Sequence, residues 1–164
     1  MPKPVIAARP VGTHPVRPAT ANSHDAQGES MPALKTYDLF IAHAWTYGDE
    51  YYRLVNMLNS ASFFTWQNYS VPEHDQLPGG ARLGEQLRNR LRPVSALLIL
   101  AGMYVNHREW IGHELDMALE MRKPIIGIYP WGQERAPKRV VETARVMVGW
   151  NTNSIVAAIR QYSV

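Results

Sequence analysis

Five short apolar runs alternate with helical stretches between residues 37 and 162, and few folds accept that order. The runs are Tyr37–Ala42, Phe63–Gln67, Val94–Leu100, Ile125–Tyr129 and a weaker Val146–Val148. Their β-branched, aromatic and leucine content suits strands buried on both faces. Between them the spacing predicts helices. One starts near Asp49, with Tyr52, Val55, Met57, Leu58 and Asn59 marking its turns. Another runs from Arg82 to Arg92 on a Leu83, Leu87, Leu91 stripe, with its arginines on a solvated face. A short one covers about Pro137–Ala144, and a last one follows Trp150-Asn151-Thr152 with Ile155, Val156, Ile159 and Tyr162 inward. Strand–helix alternation of this kind gives an α/β three-layer sandwich: a parallel sheet of about five strands, joined by right-handed crossovers, with helices on both faces.

The most informative helix lies between Asn106 and Pro124, reached through Ala101–Val105. Asn106 and Glu109 have the spacing of a capping box, and Pro124 disfavours helical geometry in Lys123. Stepped at ~100° per residue, Met117, Trp110, Met121, Ala118, Ile111, Leu115 and Leu119 fill one broad arc. Glu114 falls at ~40° from Trp110, inside that arc. A buried carboxylate costs several kcal/mol unless something pairs with it. Glu114 is therefore either a structural residue bonded to a backbone amide, an arginine or a tyrosine, or a working group facing a cleft.

Open parallel sheets bind ligands at the C-terminal ends of their strands, where the winding reverses. The residues expected there are His43, Trp45, Asn68, Tyr69, Met103, Tyr104 and Trp131, and Glu114, about two turns into its helix, looks towards the same rim. Aromatic side chains are frequent at these ends, as stacking on a planar ligand requires, although core packing explains each one singly. The connection from Asn68 to Gly80, with Pro72, Pro78 and Gly79-Gly80, has the length of a functional loop.

Composition narrows the choices. The 164 residues suit one domain plus an extension. Residues 1–33 hold half of the 12 prolines among small polar residues, the composition of a disordered tail. With no cysteine there are no thiolate metal sites or disulfides, which fits a reducing cytoplasm. A net charge of +3, partly carried by Lys3, Arg9 and Arg17 in the tail, is too mild and too scattered for a DNA-binding footprint. No apolar run reaches the length of a membrane span.

Motifs that are missing narrow them further. There is no phosphate-binding Gly-x-x-x-x-Gly-Lys, no Gly-x-Gly-x-x-Gly after the first strand, and no nucleophile elbow. Leu98-Ile99-Leu100-Ala101-Gly102 lacks the aspartate of a phosphoacceptor domain. His107 and His113 stand ~120° apart on their helix and His74-Asp75 is an isolated pair, so no metal site is expected. One acid beside stacking surfaces suits cleavage of a glycosidic or N-glycosidic bond, whose cation-like transition state a fixed carboxylate stabilises.

Tyr37-Asp38-Leu39-Phe40-Ile41-Ala42-His43 resembles the first strand of TIR domains, which share a flavodoxin-like sheet. Glu109–Leu115 followed by Lys123–Ile128 resembles their catalytic helix and the next strand. Asn68–Pro72, Pro130–Arg135 and Gly149–Thr152 resemble the prokaryotic TIR-like family of Thoeris anti-phage systems. The resemblance runs from about Tyr37 to Tyr162. It implies an enzyme that takes NAD as substrate, needs no cofactor, and breaks the nicotinamide–ribose bond to release a cyclic or modified ADP-ribose that activates a separate effector. Glu114 takes the place of the catalytic glutamate. His43, Ala44, Trp45, Asn68, Tyr69, Met103, Tyr104, Trp110 and Trp131 are the expected substrate-binding residues, and the Asn68–Gly80 loop is an expected self-association contact. His43-Ala44-Trp45 departs from the arginine that animal and plant relatives often carry there. Two other readings remain at this point: a non-catalytic TIR adaptor, and a glycosyl transferase related to nucleoside deoxyribosyltransferases.

Overall fold

The computed structural model of the protein describes residues 34–43, 48–71, 81–133 and 135–164. The expected tail, 1–33, lies outside them, as do Ala44, Trp45 and residues 72–80 of the long loop. Five strands carry the fold: β1 (Thr36–Ala42), β2 (Thr65–Asn68), β3 (Ala96–Leu100), β4 (Ile125–Ile128) and β5 (Val146–Val148). All pair in parallel in the order β2-β1-β3-β4-β5. The α/β class expected from the alternation is the observed one.

The three inner strands explain why the sheet forms. Every residue of β3 and β4 is buried, as are Leu39 to Ala42 of β1, so these runs have no solvent-facing side. Helices α1 (Asp49–Asn59) and α6 (Thr152–Tyr162) pack together, and α2 (Ala81–Leu91) packs with α4 (Arg108–Glu120). Asn151 caps α6, its side chain accepting from the Ser154 amide at 3.1 Å. Two short helices, α3 (Ala101–Asn106) and α5 (Lys138–Thr143), complete the described elements.

Three local expectations are corrected. The first is the capping box at Asn106. Ala101–Asn106 is already helical, so Asn106 cannot adopt the extended backbone of a cap; His107, at φ −130° and ψ 38°, breaks the helix, and α4 starts at Arg108 without a side-chain cap. The second is the inward face of α1, which is Tyr51, Leu54 and Leu58 rather than the face through Tyr52, and Tyr52 is exposed. Spacings of three and four residues from Tyr51 give that stripe. The third is the start of β2. Phe63 turns the chain with φ 54° and is 79% exposed, so pairing begins only at Thr65.

The chain winds outward from β1 to β2, then crosses back to β3 and continues to β4 and β5. The reversal lies between β1 and β3. Their carboxyl ends, His43 and Ala101, open the crevice where such sheets hold ligands.

Candidate active site

Glu114 is fully buried, on the face of α4 turned to the sheet. Neither carboxyl oxygen has a hydrogen-bond partner among the described residues. The Trp110 indole, one helical turn earlier, and the His43 backbone amide lie near enough to favour the charged form, yet neither reaches Oε1 or Oε2 with the geometry of a formed hydrogen bond. Desolvation outweighs both and holds the carboxyl well above the ordinary glutamate range. A purely structural glutamate, fixed by an amide, an arginine or a tyrosine, needs a formed bond, and none to Glu114 is present among the described residues.

His43 ends β1 and is buried. Its Nδ1 donates to the Ile41 carbonyl at 2.8 Å, and its ring lies tilted against Tyr51, centroids 4.7 Å apart. The Tyr51 hydroxyl in turn accepts from Asn68 Nδ2 at 2.7 Å. Asn68 Oδ1 accepts the Ser70 amide at 3.0 Å, and Ser70 Oγ accepts the Ile41 amide at 2.9 Å. The carboxyl ends of β1 and β2 are thus tied together through Tyr51, and Glu114 lies near the His43 backbone. Tyr69 contributes to this frame by its backbone, donating to the Leu39 carbonyl at 2.8 Å, while its hydroxyl bonds Gln67.

The remaining expected residues fall into two groups. Met103 and Tyr104 are buried in α3, at the end of β3. Tyr104 also meets a cleft of about 670 Å³ at the α3–α4 break, lined in addition by His107, Arg108, Trp110 and Arg139. Arg139 is held there by a hydrogen-bonded ion pair to Asp116, and that pairing raises the guanidinium's pKa further. Trp131 stands apart. It is 64% exposed, with the Arg53 guanidinium 5.7 Å from its ring centroid, and it shares a shallow cleft of about 390 Å³ with Trp150. Three groups absent from the sequence-derived set sit at the rim: Tyr51, Glu50 and Gly102. Tyr51 was legible from the Tyr51–Leu54–Leu58 spacing. Glu50 and Gly102 carry no signal in one dimension, because only the fold brings α1 to the end of β3.

Comparison with known families settles the relationship. The family model described as Thoeris protein ThsB, TIR-like domain, matches residues 40–135, more than half of the 164-residue chain, from β1 to the loop beyond β4. The chain belongs to this family. The matched span of this Thoeris TIR-like domain contains His43, Asn68 and Glu114. Comparison with curated proteins gives no match. Among solved structures, a 3-dehydroquinate dehydratase-like protein from Bifidobacterium longum superposes with a TM-score of 0.45 at 4% identity, over 77% of this chain and 94% of that one. That likeness is too distant to bear on function.

Proposed function

We propose that the TIR-like domain cleaves NAD at the nicotinamide–ribose bond, acting in the cytoplasm as an anti-phage defence enzyme. Its product is a cyclic or modified ADP-ribose that activates a separate effector. The observation that carries this reading is the fully buried Glu114 carboxyl, with no hydrogen-bond partner among the described residues, beside the β1–β3 reversal. A group kept in that costly state at a ligand-binding position is a candidate for chemistry rather than for stability.

When the N-glycosidic bond breaks, its electron pair leaves with nicotinamide, which becomes neutral. Positive charge then spreads over ribose C1 and the ring oxygen. A carboxylate fixed nearby stabilises that charge more than it stabilises the ground state. Burial raises the pKa of Glu114, and the positive nicotinamide of bound NAD would oppose that shift and favour the ionised form. His43 and Trp110 border the carboxyl, and Asn68 fixes the β2 side of the entrance through Tyr51. No metal or resident cofactor is required by this scheme. Self-association through the Asn68–Gly80 loop would complete the entrance, so turnover should rise with protein concentration or trigger binding. Neither DNA nor a membrane enters the scheme, and among the described residues no helix is long and apolar enough to cross a membrane.

The test is to incubate concentrated protein with NAD and identify products by mass, beside Glu114→Gln at equal folded concentration. Nicotinamide and an ADP-ribose derivative formed only by the wild type support the enzyme. An inactive wild type that still self-associates would favour the adaptor, and turnover of nucleosides but not NAD would favour the transferase.

A further inference from the structure

The opposite end of the sheet carries a cleft that the NAD-cleaving scheme does not use. It measures about 440 Å³ and opens where α4 and α6 end and where β4 and β5 begin. Arg122, Lys123 and Arg145 line it, and no aspartate or glutamate does. The α-carboxylate of Val164, also on its wall, offsets one of the three charges at most. Basic side chains on the neighbouring helices are paired: Arg88 with Glu120, Lys138 with Glu142 and Arg139 with Asp116. The Arg122 and Arg145 guanidinium groups have no hydrogen-bond or ion-pair partner among the described residues. The Lys123 ammonium directs two N–H groups to the Arg92 and Val94 carbonyls, each at 2.8 Å, and a third remains.

The backbone at Arg122 is unusual as well. The Arg122 amide donates to the Leu119 carbonyl at 3.0 Å and the Lys123 amide to the Ala118 carbonyl at 2.8 Å, the two bonds that close a helix around a left-handed residue. That residue is Arg122, with φ 55°. Glycine takes this conformation freely, so an arginine brings its guanidinium here at a cost in backbone energy. Helix carboxyl ends favour cations, but a basic residue in the last turn meets that need without strain, and α4 has none there.

We propose that this cleft binds a small phosphate ester, with the phosphate on Arg122, Lys123 and Arg145 and the organic part along Leu119, Pro124 and Tyr162. Arginine presents paired N–H groups that match two oxygens of a phosphate, and lysine adds a point charge. A single carboxylate would answer one of the three cations, whereas a phosphate dianion has the charge and the acceptor oxygens for all of them. Leu119 is 44% exposed and Tyr162 half-buried, so the wall beside the cations offers apolar surface to the rest of the ligand. A recess of this volume suits a free ester better than the flat surface of a membrane. The site is independent of the NAD-cleaving reading, because neither Glu114 nor His43, Tyr51 or Asn68 lines it.

The experiment follows backbone amide resonances of the full-length protein during titration with phenyl phosphate, inorganic phosphate and phenol at physiological salt. Phenyl phosphate should shift the amides of residues 122–125 and 145 saturably. Inorganic phosphate should shift the same amides with lower affinity, and phenol should leave them in place. Arg145→Ala and Arg122→Gly should each weaken phenyl phosphate binding about 10-fold, the effect of losing a charge-assisted hydrogen bond. Arg122→Gly should also melt no lower than wild type, because glycine relieves the left-handed backbone. Lys138→Ala, which removes an exposed cation outside the cleft, should bind as wild type does. No saturable shift at these amides overturns the proposal, as does full binding by both arginine variants. An equal loss in Lys138→Ala reduces the effect to general charge and overturns it too. A lower melting temperature in Arg122→Gly with binding retained would assign the arginine to the helix end. Capture by phosphatidylglycerol vesicles without binding of the free ester would make the surface a membrane contact instead.

Discussion

The two ends of the sheet treat polar groups partly or wholly withdrawn from water in opposite ways. At the amino-terminal edge, the Lys123 ammonium donates to the carbonyls of Arg92 and Val94, each at 2.8 Å, and burial lowers its pKa. Beside it Ser95 Oγ donates to the Asp38 carbonyl at 2.9 Å, and the Val164 amide donates to the Ser95 carbonyl at 3.1 Å. At the carboxyl-terminal rim, Glu114 is more deeply buried than Lys123 and yet makes no hydrogen bond among the described residues. Desolvation acts on both groups. Among the described residues, Lys123 has hydrogen-bond partners and Glu114 has none. A carboxyl without such partners is the more expensive arrangement, and under the proposed function bound NAD supplies the missing interaction.

The sharpest way to break this contrast is to remove the charge from Glu114. Glu114→Gln keeps the shape, and NAD cleavage is expected to fall at least ~10²-fold, the effect of losing one preorganised electrostatic group. Thermal stability should hold or rise, since an unpartnered acid has been replaced by a neutral amide. A destabilised variant with full turnover per folded molecule would place Glu114 among ordinary structural residues.

Lys123→Ala is the mirror experiment. It strips two carbonyls of their donor, and a loss of about 1–2 kcal/mol in unfolding free energy is expected, moderated because water reaches the site. NAD turnover of the folded fraction should not change. A turnover defect larger than the stability defect would show that the two edges are coupled.

The pH dependence of stability separates the ends further. A carboxyl whose pKa rises on folding binds its proton more tightly in the native state than in the unfolded chain. Glu114 therefore contributes most below the ordinary glutamate range. Stability should decline as pH climbs from that range to the raised native value, by at most about 1.4 kcal/mol per pH unit. Denaturant titrations of wild type and Glu114→Gln across this window should diverge, the variant being flatter. Parallel curves would mean that the pKa of Glu114 does not change on folding.

Only the Glu114 half of this contrast is legible in the sequence. The runs at β3 and β4 are apolar throughout, so their burial on both faces followed from sequence, and Glu114 stood out because one acid interrupted an otherwise apolar helical arc. The errors came where two local patterns competed. Asn106 has the side chain of a cap, but the preceding six residues were already helical, a tertiary outcome that spacing cannot show. Tyr51 was displaced by Tyr52 through a one-residue phase error in an 11-residue helix. Glu50 and Gly102 were invisible, being 52 positions apart in sequence and joined only by the crossover from β1 to β3.

The smallest expected effect tests whether the rim is as unsatisfied as Glu114 suggests. Tyr51 is a rim residue that does have a partner: its hydroxyl accepts from Asn68 at 2.7 Å while its ring rests on His43. Tyr51→Phe keeps the ring and its packing and removes only the hydroxyl. Asn68 is exposed, so water can replace the lost acceptor, and the stability cost should be about 0.5–1 kcal/mol. If the bond serves only to hold β2 against α1, turnover should fall no more than a few-fold, and mainly through KM, because the entrance loosens while Glu114 and its surroundings stay in place. A loss in kcat comparable with that of Glu114→Gln, without a matching drop in stability, would instead put the hydroxyl in contact with the reacting sugar. Measuring kcat, KM and the unfolding midpoint on one preparation decides between them, and the second result would move Tyr51 from the frame of the site into its chemistry.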